Sequence, residues 1–115
     1  MTAVVLSAGI LLSACGTGSA VAEARASCRF VHRAVVLQLE SESKGLSASA
    51  REALQGRAMS ELLKGTSSAA AATSSDGSWN ALQTTIEEAQ RVPLLNLIPS
   101  LTRLCKVANS STPYP

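Results

Sequence analysis

The side chains that could carry out chemistry are few and do not form a recognisable catalytic set. Cys28 and His32 stand four positions apart and could share one helix face, but a structural zinc site needs four ligands. Glu87 and Glu88 are adjacent, and adjacent helix positions diverge by about 100°, so these carboxylates do not face one substrate. The sequence contains no zinc-protease, serine-hydrolase or phosphate-loop motif. We therefore predict no catalytic residue, no cofactor and no metal site, and hence a protein that is not an enzyme.

Cys15 is the cysteine with the most informative surroundings. It follows the apolar run Ala3–Leu12, which has the length of the hydrophobic region of a signal peptide. The sequence Leu12-Ser13-Ala14-Cys15 resembles a bacterial lipobox, in which a cysteine after small residues is lipidated and becomes the mature N-terminus. The resemblance implies a signal peptide over residues 1–14 and a diacylglyceryl thioether on Cys15. No Lys or Arg precedes the apolar run, which favours a start codon upstream of Met1.

Other fates of the same segment remain open. Ala20-Val21-Ala22 is an A-x-A site, and cleavage after Ala22 would release a soluble secreted protein that lacks Cys15. A permanent transmembrane helix needs about 20 predominantly apolar residues, whereas this run gives way to Ser, Gly and Thr after Leu12. A non-cleaved anchor and a buried apolar helix are the remaining alternatives.

Cys28 and Cys105 are the two thiols that would remain after lipidation of Cys15. An even number of thiols in an oxidising compartment favours a disulfide, so we predict that these two residues are bonded. The bond would close a loop of about 78 residues, and the chain-entropy model values such a crosslink at roughly 4.5 kcal/mol.

Apolar spacing predicts helices through most of the mature chain. The first spans residues 23–43, and Lys44-Gly45 follows it as a left-handed cap. Ser49-Ala50-Arg51-Glu52 is a capping-box pattern that begins a second helix, which ends at Lys64-Gly65. Residues 66–75 contain no large side chain and are predicted to be a loop with at most one helical turn. Trp79 begins a third helix that ends near Arg91, and the last begins at residue 97 or 98, because Pro99 fits only a first turn.

The predicted disulfide decides between bundle topologies. Cys28 lies near the start of the first helix and Cys105 near the end of the last, and these ends meet only if the number of helices is even. We therefore predict an all-α fold, a four-helix up-down bundle with a short last helix, over residues 23–109. The signal peptide (1–14) and a flexible tether (15–22) precede it, and a disordered tail (110–115) follows.

Three arginines and one tryptophan are the other residues with a candidate role. Arg25, Arg29 and Arg33 recur every four residues and form a stripe on the first helix, where like charges are mildly destabilising. The stripe either contacts anionic lipid headgroups or forms a solvated face with ion pairs to neighbouring helices. Trp79 is the largest apolar side chain and is either a core residue or an interface anchor.

Composition and a second resemblance bear on the functional class. Charged residues make up 16% of the chain and only three residues are aromatic, which excludes a basic nucleic-acid binder. The segments Gly77–Leu82 and Leu101–Cys105 resemble the W-x-x-L and L-x-x-x-C endings of small actinobacterial lipoproteins. The resemblance implies a location in the cell envelope, anchored to the outer face of the cytoplasmic membrane.

The expected function is therefore that of an exported, lipid-anchored, non-enzymatic binding or interaction module. Its expected partners are the membrane, through the lipid anchor, and an envelope protein or cell-wall component, but no nucleic acid. Two alternatives are a soluble secreted protein that binds a small apolar ligand between its helices, and an enzyme whose site has no recognisable motif.

Overall fold

The computed structural model describes residues 17–115, so the predicted signal peptide and Cys15 lie outside the described residues. Within this range the protein is all-helical, as the sequence predicts. Five α-helices and one 3-10 turn follow in the order α1 Thr17–Ser41, α2 Ala48–Lys64, α3 Thr66–Ser75, the turn Gly77–Trp79, α4 Asn80–Glu88 and α5 Leu94–Ala108. Between residues 17 and 115, no helix combines the length and apolarity needed to cross a membrane.

Helix α1 is the central element of the fold. It packs against α2, α3 and α5, while α4 packs against α3 and α5. The junction between α2 and α3 lies beside the middle of α1, because the Ser27 hydroxyl donates a hydrogen bond to the Gly65 carbonyl at 2.9 Å. The side chains that fill the core between these helices are mostly aliphatic, and the largest fully buried ones are Trp79, Leu62, Leu82, Ile86, Leu101 and Val31.

Helix α1 begins six residues earlier than predicted, which corrects the assignment to a flexible tether for residues 17–22, the part of that segment that the structure describes. Residues 17–22 are helical, and Ala20 is as fully buried as Ala24, one turn further along. The reason is tertiary: Ala20 is buried in the core, and α1 packs against α2, α3 and α5. A sequence window without large apolar residues carries no sign of this contact.

Helix α3 occupies residues 66–75, which the sequence predicted to be a loop, and this prediction was wrong. The four consecutive alanines favour a helix, since alanine has the highest helix propensity. Ala69 and Ala72 are completely buried, and α3 packs against both α1 and α4. Small side chains bury little area each, but they allow a close approach of two helices. The four predicted helices are therefore present in residues 17–115 together with a fifth, so Cys28 and Cys105 are bonded without the even number of helices that the topology argument requires.

The close approach at Gly65 can be tested by substitution. A Cβ at Gly65 would lie 3.1 Å from the backbone carbonyl oxygen of Ser27, closer than ordinary van der Waals contact. We expect Gly65→Ala to lower the free energy of unfolding by about 1–3 kcal/mol, because α1 and α3 must separate. Gly56 in α2 has open space around it, and Gly56→Ala should raise the free energy of unfolding by about 0.5–1 kcal/mol. Urea denaturation measures the free energy of unfolding of both variants. Changes of the same sign in the two variants would contradict this packing.

The turn between α1 and α2 agrees with the sequence in one respect and differs in another. Gly45 has a φ of +86°, the predicted left-handed conformation, but it lies in the turn four residues after the end of α1 at Ser41 and does not cap that helix. The N-cap of α2 is Ser47, whose side chain accepts a hydrogen bond from the Ala50 backbone N–H at 3.1 Å. The predicted capping box from Ser49 to Glu52 is not formed, because Ser49 already lies inside the helix.

Helix α5 begins at Leu94, three or four residues before the predicted start, and contains Pro99 in its interior. The extended backbone of Pro93 precedes the helix, and Leu94 is buried in the core, so the helix is anchored at its first residue. Pro99 is exposed and so removes a helical hydrogen bond on the solvent side, where water can satisfy the freed carbonyl. Tertiary anchoring thus outweighs the local preference for proline in a first turn.

Candidate functional site

A disulfide joins α1 to α5, as the sequence predicts. Cys28 and Cys105 are bonded, with their Cα atoms 5.5 Å apart. Cys28 is buried, so the bond lies at the base of the contact between the two helices. Because the Cys28 sulfur is bonded to Cys105, it does not pair with His32 as a metal ligand. In the described part of the chain, no three His, Cys, Asp or Glu side chains lie close enough to hold a metal ion.

Arg25 has a structural contact that the sequence did not indicate. Its Nε donates a hydrogen bond to the Ala108 carbonyl at 2.7 Å, and its Nη2 donates to the Ser110 carbonyl at 3.2 Å. These carbonyls stand at the end of α5, where a helix lacks its own donors and carries a partial negative charge. Arg25 therefore caps α5, and it holds Ser110, the first residue of the predicted disordered tail, against α1.

The α1–α5 groove lies directly above the disulfide and has a volume of about 570 Å³. Four of the ten Lys and Arg side chains of the protein line it, and none of the eight Asp and Glu side chains does. A cleft whose charges share one sign raises the local concentration of counter-ions. The groove is formed by ten residues, which are Arg25, Cys28, Arg29, His32, Arg33, Val35, Thr102, Cys105, Lys106 and Asn109.

Arg29 and Lys106 face the groove from opposite helices. Both side chains are exposed, and neither makes a hydrogen bond or ion pair with any residue in the 17–115 range. Arg29 directly follows Cys28 in the sequence, and Lys106 directly follows Cys105. The disulfide therefore brings the two cations to the same groove from positions that are far apart in the chain.

A second, smaller groove of about 380 Å³ lies on the other side of α1, against α2. His32 and Arg33 line both grooves, and the second adds Val36, Arg57 and Glu61. Arg33 lies 4.0 Å from the Glu61 carboxylate and 5.5 Å from the centre of the Phe30 ring. A hydrogen bond from Lys64 at 2.8 Å is the main reason that the pKa of Glu61 lies below its usual value. The acidic side chain of this groove is therefore held as a carboxylate by its neighbours.

Among the other acidic side chains of the described residues, Glu87, Glu88 and Asp76 have local partners and do not converge on a site. Glu87 accepts a hydrogen bond from Gln83, and Glu88 pairs with Arg91, both within about one helical turn. The Asp76 carboxylate caps the 3-10 turn, because the Ser78 backbone N–H and hydroxyl donate to it at 3.0 and 2.8 Å. These two hydrogen bonds lower the pKa of Asp76, the backbone one most.

Trp79 belongs to the core, with an exposed fraction of 1%. Its 3-10 turn packs against α3 and α4. Of the two predicted roles, the core residue therefore fits this structure, since an interface anchor must be accessible to its partner before binding. The large hydrophobic side chains that are exposed in residues 17–115 lie elsewhere. They are Val36, Leu39, Leu63, Leu95 and Tyr114.

The α1–α5 groove combines residues that sequence analysis singled out with others that it missed. Arg29 and Arg33 were predicted, whereas Thr102, Lys106 and Asn109 were not. A signal for Lys106 was present in the sequence. Lys106 follows Cys105, and Arg29 follows Cys28, the predicted disulfide partner of Cys105. The α1–α5 groove therefore presents four cationic side chains and no carboxylate.

Comparison with protein families, with curated proteins and with solved structures finds no match to this chain.

Proposed function

We propose that this protein is an exported, lipid-anchored helical protein of the cell envelope that acts as a non-enzymatic binding module. In this proposal the helices form an up-down bundle, in which the last helix, α5, has 15 residues and is not short as the sequence predicts, and the α1–α5 groove is the binding surface. The observation that carries the proposal is the lining of this groove, which has four cationic side chains and no carboxylate. Such a surface favours an anionic partner in the envelope over the small apolar ligand of the alternative interpretation.

The disulfide supports export. Disulfides persist in oxidising compartments outside the cytoplasm and are rare inside it. The Cys28–Cys105 bond links α1 covalently to α5, and these two helices form the walls of the groove. Together with the lipobox at Cys15 and the resemblance to actinobacterial lipoproteins, it favours the outer face of the cytoplasmic membrane.

The start of α1 favours lipidation over release as a soluble protein. Cleavage after Ala22 would remove the first six residues of α1, including the buried Ala20. Cleavage before Cys15 would leave the whole of α1 in the mature protein. In the lipidated form only Gly16 separates Cys15 from the first residue of α1, so the lipid would hold this helix at the membrane surface.

The lipid anchor is tested by Cys15→Ala. With an upstream start supplied in an actinobacterial host, we expect the wild-type protein to enter the detergent phase on phase partition and to incorporate labelled fatty acid. Cys15→Ala should lose the fatty-acid label, because the thioether has no acceptor. Ala22→Leu is the matched control: it blocks the A-x-A site at an exposed position and should leave labelling and partition unchanged. Equal labelling of wild type and Cys15→Ala would show the lipobox interpretation to be wrong.

A further inference from the structure

We infer that the α1–α5 groove is a binding site for a phosphate ester. The inference rests on the proposed function, in which this groove is the binding surface, and it adds the chemical class of the ligand. It is carried by the kind of donors that line the groove, by their position on two walls and by the absence of internal partners for two of them in the described structure.

The walls of the groove present donors from two directions. Helix α1 contributes Arg29, His32 and Arg33, and α5 contributes Lys106 and Thr102. All five side chains are exposed, so water now satisfies donors that an anion could use. The floor between the walls is the disulfide together with Val35, which offers no charge to compete for these donors. An anion in the groove would therefore contact both helices at once.

This donor set fits a phosphate group better than a carboxylate. A carboxylate has two oxygens in one plane, and a single guanidinium can satisfy both in a bidentate pair. The unesterified oxygens of a phosphate ester, three in a monoester and two in a diester, project from a tetrahedral phosphorus, so cations on opposite walls can each bind a different oxygen, and both Arg and Lys bind phosphate. Arg29 and Lys106 lie on opposite walls, and the Thr102 hydroxyl and Asn109 amide add neutral donors of the kind that commonly contact phosphate oxygens.

The capping role of Arg25 makes the end of α5 compatible with an anion. A helix C-terminus repels negative charge, because its last carbonyls carry a partial negative charge. Here the Arg25 guanidinium binds the Ala108 and Ser110 carbonyls and so neutralises the end of the helix that borders the groove. Lys106 lies in the last turn of the same helix and is left free to bind the ligand.

A phosphate ester could reach the groove from a lipid headgroup or as a free molecule. The groove lies on α1, and the proposed lipid on Cys15 would keep that helix close to headgroups. Both sources present a phosphate ester, a monoester in glycerol phosphate and a diester in phosphatidylglycerol, so one protein is tested with glycerol phosphate and with vesicles that contain phosphatidylglycerol. Glycerate is the matched soluble ligand, since it carries a carboxylate on a similar three-carbon polyol.

The experiment uses the full chain with Cys15→Ala, so that no lipid is attached, and with the Cys28–Cys105 disulfide intact. Calorimetric titration at constant ionic strength measures Kd for glycerol phosphate and for glycerate, and flotation measures binding to phosphatidylglycerol in phosphatidylcholine vesicles against phosphatidylcholine alone. The groove variant is Arg29→Gln/Lys106→Gln. The matched control is Arg51→Gln/Arg103→Gln, which removes the same net charge from exposed positions outside the groove.

We expect glycerol phosphate or the phosphatidylglycerol vesicles to bind, and the groove variant to weaken that binding about tenfold or more, because charge-assisted hydrogen bonds from both walls are lost. The control should stay within about twofold, since exposed charges outside the groove are largely screened. The charge-conserving variant Arg29→Lys/Lys106→Arg should retain most of the binding. Binding to vesicles alone identifies a lipid headgroup as the source, and binding of the soluble ester as well identifies the phosphate group itself.

Three results would overturn the inference. Equal weakening by the groove variant and the control would show that only net charge matters. Absence of binding to both phosphate probes would show that the groove does not accept this group. Glycerate binding that is as tight as glycerol phosphate binding, and is lost in the groove variant, would assign the groove to another class of anion. That last result would leave the proposed binding module standing, and the partition of Cys15→Ala is independent of all three.

Discussion

Reduction of the Cys28–Cys105 disulfide is expected to lower the free energy of unfolding by about 4–5 kcal/mol, the value of the chain-entropy model for a loop of this length. The two cysteines are 77 positions apart, so the bond restricts most of the unfolded chain. For a domain of about 100 residues, a loss of this size corresponds to a fall in melting temperature on the order of 20 °C. It is also a large fraction of the roughly 5–15 kcal/mol that stabilises a typical domain.

Circular dichroism melts of the oxidised protein, the reduced protein and Cys28→Ala/Cys105→Ala measure this effect. The reduced protein and the double variant should melt at similar temperatures, because both lack the crosslink. Alkylation and mass spectrometry of the unfolded, non-reduced protein should find no free thiol at either position. If reduction leaves the melting temperature unchanged, the bond does not hold α1 against α5 in the way that the structure shows.

Substitution of Trp79 is expected to have the second large effect. Trp79 is the largest fully buried side chain, with 1% of its surface exposed, and it lies where α3 and α4 meet. Trp79→Ala should lower the free energy of unfolding by about 3–5 kcal/mol, since it removes a large transfer free energy and leaves a cavity. Tyr114→Ala is the matched control, because that aromatic ring is 65% exposed, and its effect should stay within about 0.5 kcal/mol.

Fluorescence gives an independent check, because the protein has one tryptophan. The native emission should be blue-shifted, should resist quenching by acrylamide and should move to longer wavelength on unfolding. Native emission that is quenched as readily as free tryptophan, together with an unchanged melting temperature in Trp79→Ala, would move Trp79 from the core to the surface. It would then become a candidate contact for a protein partner.

The α1–α5 groove could be predicted from the sequence only in part. The stripe of Arg25, Arg29 and Arg33 follows from helical spacing, but spacing treats the three residues as equivalent. The structure separates them: Arg25 caps α5, Arg33 lies near Glu61, and Arg29 has no partner among residues 17–115. Which of three evenly spaced cations stays available for a ligand depends on what lies opposite each one, and that is decided by the neighbouring helices.

The sequence by itself determined the helical class, the left-handed turn at Gly45 and the pairing of Cys28 with Cys105. These properties depend on interactions within a few residues of the chain or on the number of cysteines, and both are visible in a single sequence. A helix repeats every 3.6 residues, so a helix that packs on one side has apolar residues at that period in its sequence. A glycine after a helix marks a backbone conformation that other residues rarely adopt.

Only the tertiary structure decided that residues 66–75 form α3, that α1 begins at Thr17, that α5 continues through Pro99, and that Arg29 and Lys106 share a groove. Helix α3 and the start of α1 depend on small side chains. These side chains allow the close approach of another helix and do not form a periodic apolar pattern. The continuation of α5 through Pro99 depends on the burial of Leu94, which outweighs the local cost of a proline on the exposed side of the helix. The shared groove of Arg29 and Lys106 depends on a contact between residues 77 positions apart, and interactions between sequence neighbours do not determine such a contact.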